Sequence, residues 1–524
     1  MGAENTKGEY HIIAGRINDV AWDGDSQRII AVGDGKEAFG RCITADSGNS
    51  VGEISGHASQ INCVDVRKQR PLRAATGSDD TSMVFLHGAP FKFNTSVRGK
   101  HDKFIYGCQF SPDGGSLVTV GSDKRIWIYD GKSGEAVKQI GEGVHKGSIF
   151  GVCWAPDGKR LVTCSGDQTV RVWEVESGEC VQSWRMGGEG VSVPDQQVGV
   201  TWPAGRSDGL IVSIDLEGNL NYFHADKAEG PVRVVRGHQK AITSAASAQG
   251  TLFTGSYEGR ARAWDLKSGA AELVDGEMHS NQVAGMAAGS SRVYSVGWDD
   301  SLRATDASQK SFIGGATKTN GQPKGVAVAS AGGKEYTLVA TSSGLTIYSS
   351  DGQEAGSLKL TEGLTCVAAA GDLVATGAQD KVVRIFKLSS SASLSEVAQL
   401  TDPTSPISSL AFAPDGSHLA VGLANGKVFA YAASGSSWSL ETNRWSAHTA
   451  RVTSISWSPD GKKAVSGGLD TNVFVWSLAD PGKRIKALGA HKEGVGAVVW
   501  ADEGRVVSCG SDAAVKVWGV EGVP

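Results

Sequence analysis

"GVHKGSIFGVCWAPDGKRLVTCSGDQTVRVWEV", residues 143–175, carries most of the information about the fold. A His opens it, and an alternating apolar stretch then runs to Trp154. A Pro-Asp-Gly turn reverses the chain. A second alternating stretch ends at Ser165, an Asp-containing turn follows, and a third ends at Trp173. Alternation with period two marks strands buried on one face. The same order recurs in "SAHTARVTSISWSPDGKKAVSGGLDTNVFVWSL" (446–478) and in "GAHKEGVGAVVWADEGRVVSCGSDAAVKVWGV" (489–520).

From His448 to His491 is 43 residues, a period in the range of four-stranded propeller blades. With its His, Asp and Trp landmarks the chain resembles the WD-repeat family. Four sets share one spacing from hydroxyl to acid to Trp, each behind a His: His145, Thr163, Asp167, Trp173; His448, Ser466, Asp470, Trp476; His491, Ser508, Asp512, Trp518; and His238, Thr254, Glu258, Trp264, where Glu replaces Asp. The resemblance implies a buried tetrad in each. The acid orients the His, the His meets the hydroxyl, and the hydroxyl meets the indole N–H, so every polar group in a dry blade is satisfied. A Ser-His-Asp set also suggests a hydrolase. A nucleophile copied once per blade, at a buried position, has no access to substrate, so no catalytic residue is assigned.

Composition agrees with many short strands. Gly makes up 70 of 524 residues, about twice the usual share near 7%, as many tight turns require. Apolar residues are 40% and charged residues 20%, and the net charge is −5. There is no basic stripe for a nucleic acid, and no apolar run approaches the ~18 residues of a membrane helix. Eight cysteines stand singly, so buried reduced thiols are expected and no metal site or cofactor. Cys63, Cys108 and Cys153 are placed at one phase of successive repeats. "MGAENT" (1–6) fits the loose Gly2 myristoylation pattern but has no basic cluster beside it, and without an apolar signal core the chain is expected in the cytoplasm.

Repeats begin near Ile17, His57, His101, His145, Val191, His238, His279, Gln322, Thr361, Thr404, His448 and His491. Twelve blades exceed the usual four to eight of one ring, so two all-β propellers in tandem are expected. The seam is placed at "YFHADKAEGPVRVV" (222–235): an N-terminal propeller over 17–230 with five repeats, then a seven-bladed one over 231–524. Residues 1–16 read as the outer strand of a blade that is otherwise missing. An open ring exposes blade flanks, so two repeats, roughly 85 residues at this period, are expected to precede the chain; a five-bladed first ring closed by residues 8–14 is the alternative.

Several stretches lie outside the generic repeat: "INDVAWDGDSQRIIAVGDGKEAFG" (17–40), "DSGNSVGEISGH" (46–57), "PFKF" (90–93), "DGKSGE" (130–135) and "RIKALGAHKEGV" (484–495). In these the chain resembles the actin-interacting protein 1 (WD-repeat protein 1) family. The resemblance implies a non-enzymatic, monomeric protein of the cytoplasmic and cortical actin cytoskeleton. Its implied partners are actin filaments and cofilin (ADF), and its implied action is filament severing and disassembly. It assigns contact roles to Glu37 in "GDGKEAFG", Asp79 in "GSDD", Lys92 and Phe93 in "PFKF", and Phe104 in "HDKF". The residues leave other readings open. Asp79 has the tetrad spacing to Phe85, Glu37 could be a solvated turn charge, and Phe104 could be core. By strand alternation Phe93 is expected outside and Phe91 packed. A general scaffold, such as a ubiquitin-ligase substrate adaptor, is the alternative function.

Overall fold

The computed structural model describes residues 10–435 and 437–520. Among them it contains twelve antiparallel sheets and no helix. In each sheet the strands lie in chain order from the inside outward, here a to d. Sheet 1 is Ile17–Trp22, Arg28–Gly33, Gly40–Thr44 and Ser50–Glu53; sheet 2 is Ile61–Val66, Arg73–Ser78, Met83–His87 and Lys92–Val97. The inner strands of sheets 3, 4 and 5 are Ile105–Phe110, Ile149–Trp154 and Gln197–Thr201. Those of sheets 6 to 12 are Ile242–Ala248, Val283–Ala288, Pro323–Ala331, Leu364–Ala370, Ile407–Phe412, Val452–Trp457 and Val495–Asp502. Among the described residues sheet 12 has three strands, with Val515–Gly519 outermost.

The core lies between sheets. Val118, Ile126 and Ile128 of sheet 3, for example, pack on Trp154, Leu161 and Trp173 of sheet 4. A lone two-faced sheet cannot bury its apolar residues, and stacking neighbours around an axis does so. The chain divides into two compact units, Met1–Val235 and Arg236–Pro524. The seam falls beyond residue 230 because Arg233–Val235 pairs with Leu220–His224 as strand d of sheet 5.

The second unit closes. Ala497, Val499 and Cys509 of sheet 12 share a core cluster with Ile242, Leu252 and Trp264 of sheet 6, giving a ring of seven. In the first unit, clusters join sheets 1 to 5 in series, and among the described residues none joins sheet 5 back to sheet 1. The end flanks show it. Val20 is 52% exposed and Trp22 47% on sheet 1, and Leu216 is 49% exposed beside sheet 5.

Residues 10–16 form no strand. Tyr10 donates its hydroxyl to Asp46 O (3.0 Å), and Ile13 lies against Gly33 and Gly35, so this segment lies on sheet 1 itself. The "MGAENT" motif and the rest of the expected outer strand lie outside the described residues. Cysteines are free, and six of the eight are buried, with Cys180 and Cys366 half-buried. Cys63, Cys108 and Cys153 are not in one phase. They occupy the third, fourth and fifth places of their strands, because they recur every 45 residues while Ile61, Ile105 and Ile149 recur every 44.

Sheet 4 has the full tetrad. His145 Nδ1 donates to Asp167 (2.9 Å), its Nε2 accepts from Thr163 Oγ1 (2.8 Å), and Trp173 Nε1 donates to the same hydroxyl (2.8 Å). Burial alone would raise the Asp167 carboxyl, but bonds from His145, Thr169 and the Lys146 N–H hold it well below the usual range. Gln168, next along, takes φ 68°, which folds the tight turn around the carboxylate. Sheets 11 and 12 repeat the arrangement: Trp476 donates to Ser466 and Trp518 to Ser508, both at 2.8 Å. Sheet 6 does not. His238 accepts from Thr254 (2.7 Å) and Trp264 donates to the same hydroxyl (2.7 Å), but His238 Nδ1 has no hydrogen-bond partner among the described residues. Glu258 turns instead toward Arg260, at 3.9 Å. The longer side chain overshoots the His that an Asp would reach. Sheets 2, 3 and 7 hold partial tetrads on His57, His101 and His279 that lack the Trp.

Candidate functional site

The five residues assigned to partner contact fall into two groups. Glu37, Asp79 and Phe104 sit in the b–c links of sheets 1 and 2 and the link into sheet 3. In an up-and-down sheet, b–c links and links into the next inner strand lie at the same end. Lys92 and Phe93 begin strand d of sheet 2, at its outer edge.

Sheet 2's tetrad acid is Asp80, not Asp79. His57 Nδ1 donates to Asp80 (3.0 Å), while His57 Nε2 accepts from Thr76 (2.8 Å). The spacing to Phe85 misleads by one residue. Leu86 pairs with Ala74, as Trp173 pairs with Leu161, so Leu86 holds the tryptophan position. Phe85 points the other way, into the core with sheet 3. Asp79 is thereby left free of the tetrad. Its carboxylate accepts from Gln60 Nε2 (2.6 Å) and Asn62 Nδ2 (2.8 Å). Asn62 Nδ2 also reaches Ile105 O at 3.0 Å, one residue from Phe104. Asn62 therefore couples Asp79 to the backbone that presents Phe104.

Phe104 is 44% exposed, so it is not core. Its ring meets Tyr106 edge-on at 6.3 Å, and Tyr106 meets Phe150 at 5.5 Å. These three make an aromatic row along the inner strands of sheets 3 and 4. Tyr106, Phe150 and Asn62 are not among the residues assigned from the sequence. Register could have found them: the second place of each inner strand is Asn18, Asn62, Tyr106 and Phe150 in sheets 1 to 4, but Thr243 in sheet 6 and Thr453 in sheet 11. Hydroxyls there stitch blades together, as Thr453 donates to Val495 O at 2.6 Å; an aromatic ring gives up that bond.

The stretch "HGAPFKF" (87–93) builds the second group. Gly88 and Phe91 take φ of 62° and 65°, and Phe91 N–H donates to Gly88 O at 2.8 Å. This turn drives Phe91, 0% exposed, into the cluster of sheets 1 and 2 with Ile54, Val84 and Leu86. Phe93 is 48% exposed. The outcome matches the expectation but the reason differs. Residues two apart in a strand share a face. Phe91 and Phe93 part because the strand starts only at Lys92, and Phe91 belongs to the left-handed turn. Inward, the Phe93 ring rests on Gly56; a Cβ there would lie 2.5 Å from the ring, at a φ of 110° that also favours glycine. Lys92 and Glu37 are exposed.

Each group offers a half-exposed aromatic held by neighbours, with single charges around it. Such groups desolvate on contact at little entropic cost, which suits a protein interface. By contrast the tetrad hydroxyls of Thr163, Ser466 and Ser508 are fully buried.

The WD domain, G-beta repeat family model matches residues 48–85, 92–130, 139–174, 229–265, 439–477 and 482–519. The Anaphase-promoting complex subunit 4 WD40 domain model matches 367–439. An uncharacterized WD repeat-containing protein of Schizosaccharomyces pombe is 41% identical over 98% of this chain and 84% of its own length. Actin-interacting protein 1 of Drosophila melanogaster is 36% identical over 99% of this chain and 84% of its own length. WD repeat-containing protein 1 of Gallus gallus is 37% identical, covering 98% and 84%. With twelve propeller-type sheets and these near-full-length matches, the chain belongs to the actin-interacting protein 1 (WD repeat-containing protein 1) family of WD-repeat proteins.

Proposed function

We propose that this chain binds actin filaments through its first unit and, with cofilin (ADF), promotes their severing and disassembly. It acts as a binding protein at the cytoplasmic actin cytoskeleton, without catalysis. The observation that carries the reading is Phe93, half-exposed on an outer strand while its neighbour Phe91 is wholly buried. The ring rests on Gly56 with one side only and leaves apolar surface open beside an exposed Lys92, in a stretch outside the generic repeat. Asp79 and Phe104, coupled through Asn62, supply a second contact at the b–c end of the sheets. The name of the Drosophila relative, actin-interacting protein 1, supports actin as the partner. The aromatics supply affinity, and Glu37, Asp79 and Lys92 set orientation and association rate.

Cosedimentation tests it. Purified chain added to actin filaments carrying cofilin should move actin from pellet to supernatant beyond cofilin alone, and Phe93→Ala should lose most of that gain. An unchanged distribution with the wild-type chain would refute the reading.

A further inference from the structure

The positions that hold Asp79, Phe104 and Tyr106 recur in the ring of seven with different chemistry. They are the residue after strand b, the residue before strand a, and the second residue of strand a. In that ring they frame an axial funnel of about 620 Å³, within the size range of ligand sites. Its lining includes two charged side chains, Lys324 and Arg451, and no carboxylate. Trp298, 39% exposed, and Leu469, 51% exposed, stand at its mouth. Lys324 Nζ lies 5.8 Å from the Trp298 ring centroid and donates to Gln322 Oε1 at 2.9 Å. Arg451 is exposed, and its guanidinium has no ion-pair or hydrogen-bond partner among the described residues. Hydroxyls at the inner strands are already engaged: Thr365 donates to Ile407 O at 2.7 Å. The open polar groups are thus the two cations, the amides of Gln282 and Gln379, and the hydroxyls of Ser342 and Ser511.

We propose that this funnel is a second binding site, which takes an extended acidic peptide segment of a partner protein. Carboxylates of the peptide meet Lys324 and Arg451. An apolar side chain covers Trp298 and Leu469, and the two Gln amides serve the peptide backbone. Charge complementarity selects this occupant, since two cations without a carboxylate draw an anion to the mouth. A small inorganic anion would leave Trp298 and Leu469 uncovered, and two cations are too few for the phosphate track of a nucleic acid. The site is independent of the filament-binding face, because every lining residue belongs to the second unit.

The test uses the full chain and an array of eight-residue peptides built from Asp, Glu, Leu, Phe and Gly, with binders measured by fluorescence anisotropy. The wild-type chain should select peptides that carry both carboxylates and an apolar residue, with binding that weakens as NaCl rises. The double variant Lys324→Ala/Arg451→Ala should lose at least tenfold in affinity, and Trp298→Ser several-fold. Arg451→Glu should shift selection toward peptides in which Lys replaces Asp and Glu, a change that misfolding cannot mimic. Phe93→Ala should leave this binding unchanged, which separates the proposal from filament binding. No selected peptide, or selected peptides that bind the double variant equally well, overturns it. So does equal binding of all-Gly/Asp peptides and inorganic tripolyphosphate, which would reduce the site to an anion trap.

Discussion

Phe91→Ala and Phe93→Ala should have opposite consequences, although the residues are two apart. Phe91 is 0% exposed and packs with Ile54, Val84 and Leu86 between sheets 1 and 2. Its left-handed turn is pinned by the Gly88 carbonyl, so the backbone cannot collapse into the hole. Removing the ring forfeits its transfer energy and leaves a cavity, about 3–5 kcal/mol in total. Phe93 keeps nearly half its surface in water and touches Gly56 inward, so its loss should cost under about 1 kcal/mol. The assay is guanidinium unfolding followed by tryptophan fluorescence, reading the first unit's transition separately, because two units need not melt together. Phe91→Ala should move that midpoint strongly downward and Phe93→Ala hardly at all. On cofilin-decorated filaments Phe93→Ala should lose activity at full stability. If Phe93→Ala is as destabilising as Phe91→Ala, Phe93 is a packing residue and the interface argument fails.

Trp173→Ala should destabilise by roughly 3–5 kcal/mol as a fully buried aromatic, and Trp518→Ala by about half as much. Trp518 makes the same 2.8 Å bond to its Ser, but it lies half-buried on the outermost described strand of sheet 12; equal losses in thermal unfolding would contradict that difference. Burial pushes the Asp65 carboxyl up to about 6, against the Phe110 N–H that it accepts. The folded chain then holds a proton that the unfolded chain releases, so stability falls as pH rises from about 4 through 6. Asp65→Asn should stabilise the first unit by on the order of 1–2 kcal/mol at pH 7.5 and by nothing below pH 4; the same gain at both pH values would refute it.

The blade pattern was legible because it is local. The His-to-Asp-to-Trp spacing around His145 follows from two turns and three short strands, all within the quoted 33-residue stretch. What failed was single-residue register. "GSDD" offers two acids, and only the pairing of Leu86 with Ala74 shows that Asp80 takes the tetrad place. Glu258 satisfies the spacing, yet one extra methylene carries its carboxylate past His238 to Arg260. The coupling of Asp79 to Phe104 depends on Asn62 bridging adjacent sheets, a contact across 43 residues that no local motif contains. The aromatic row of Phe104, Tyr106 and Phe150 also emerges only when the inner strands are set side by side.

We propose that this chain breaks cofilin-decorated actin filaments through the two contact groups of its first unit, one bearing Phe93 and the other Phe104. Fluorescence microscopy of single filaments tests it most directly, by counting severing events per length and time with cofilin present. Wild-type chain should raise the count several-fold over cofilin alone, and a Phe93→Ala/Phe104→Ala chain of unchanged stability should return it to the cofilin level. A wild-type chain that leaves the count unchanged, or a double variant that severs as well as wild type, would contradict the account.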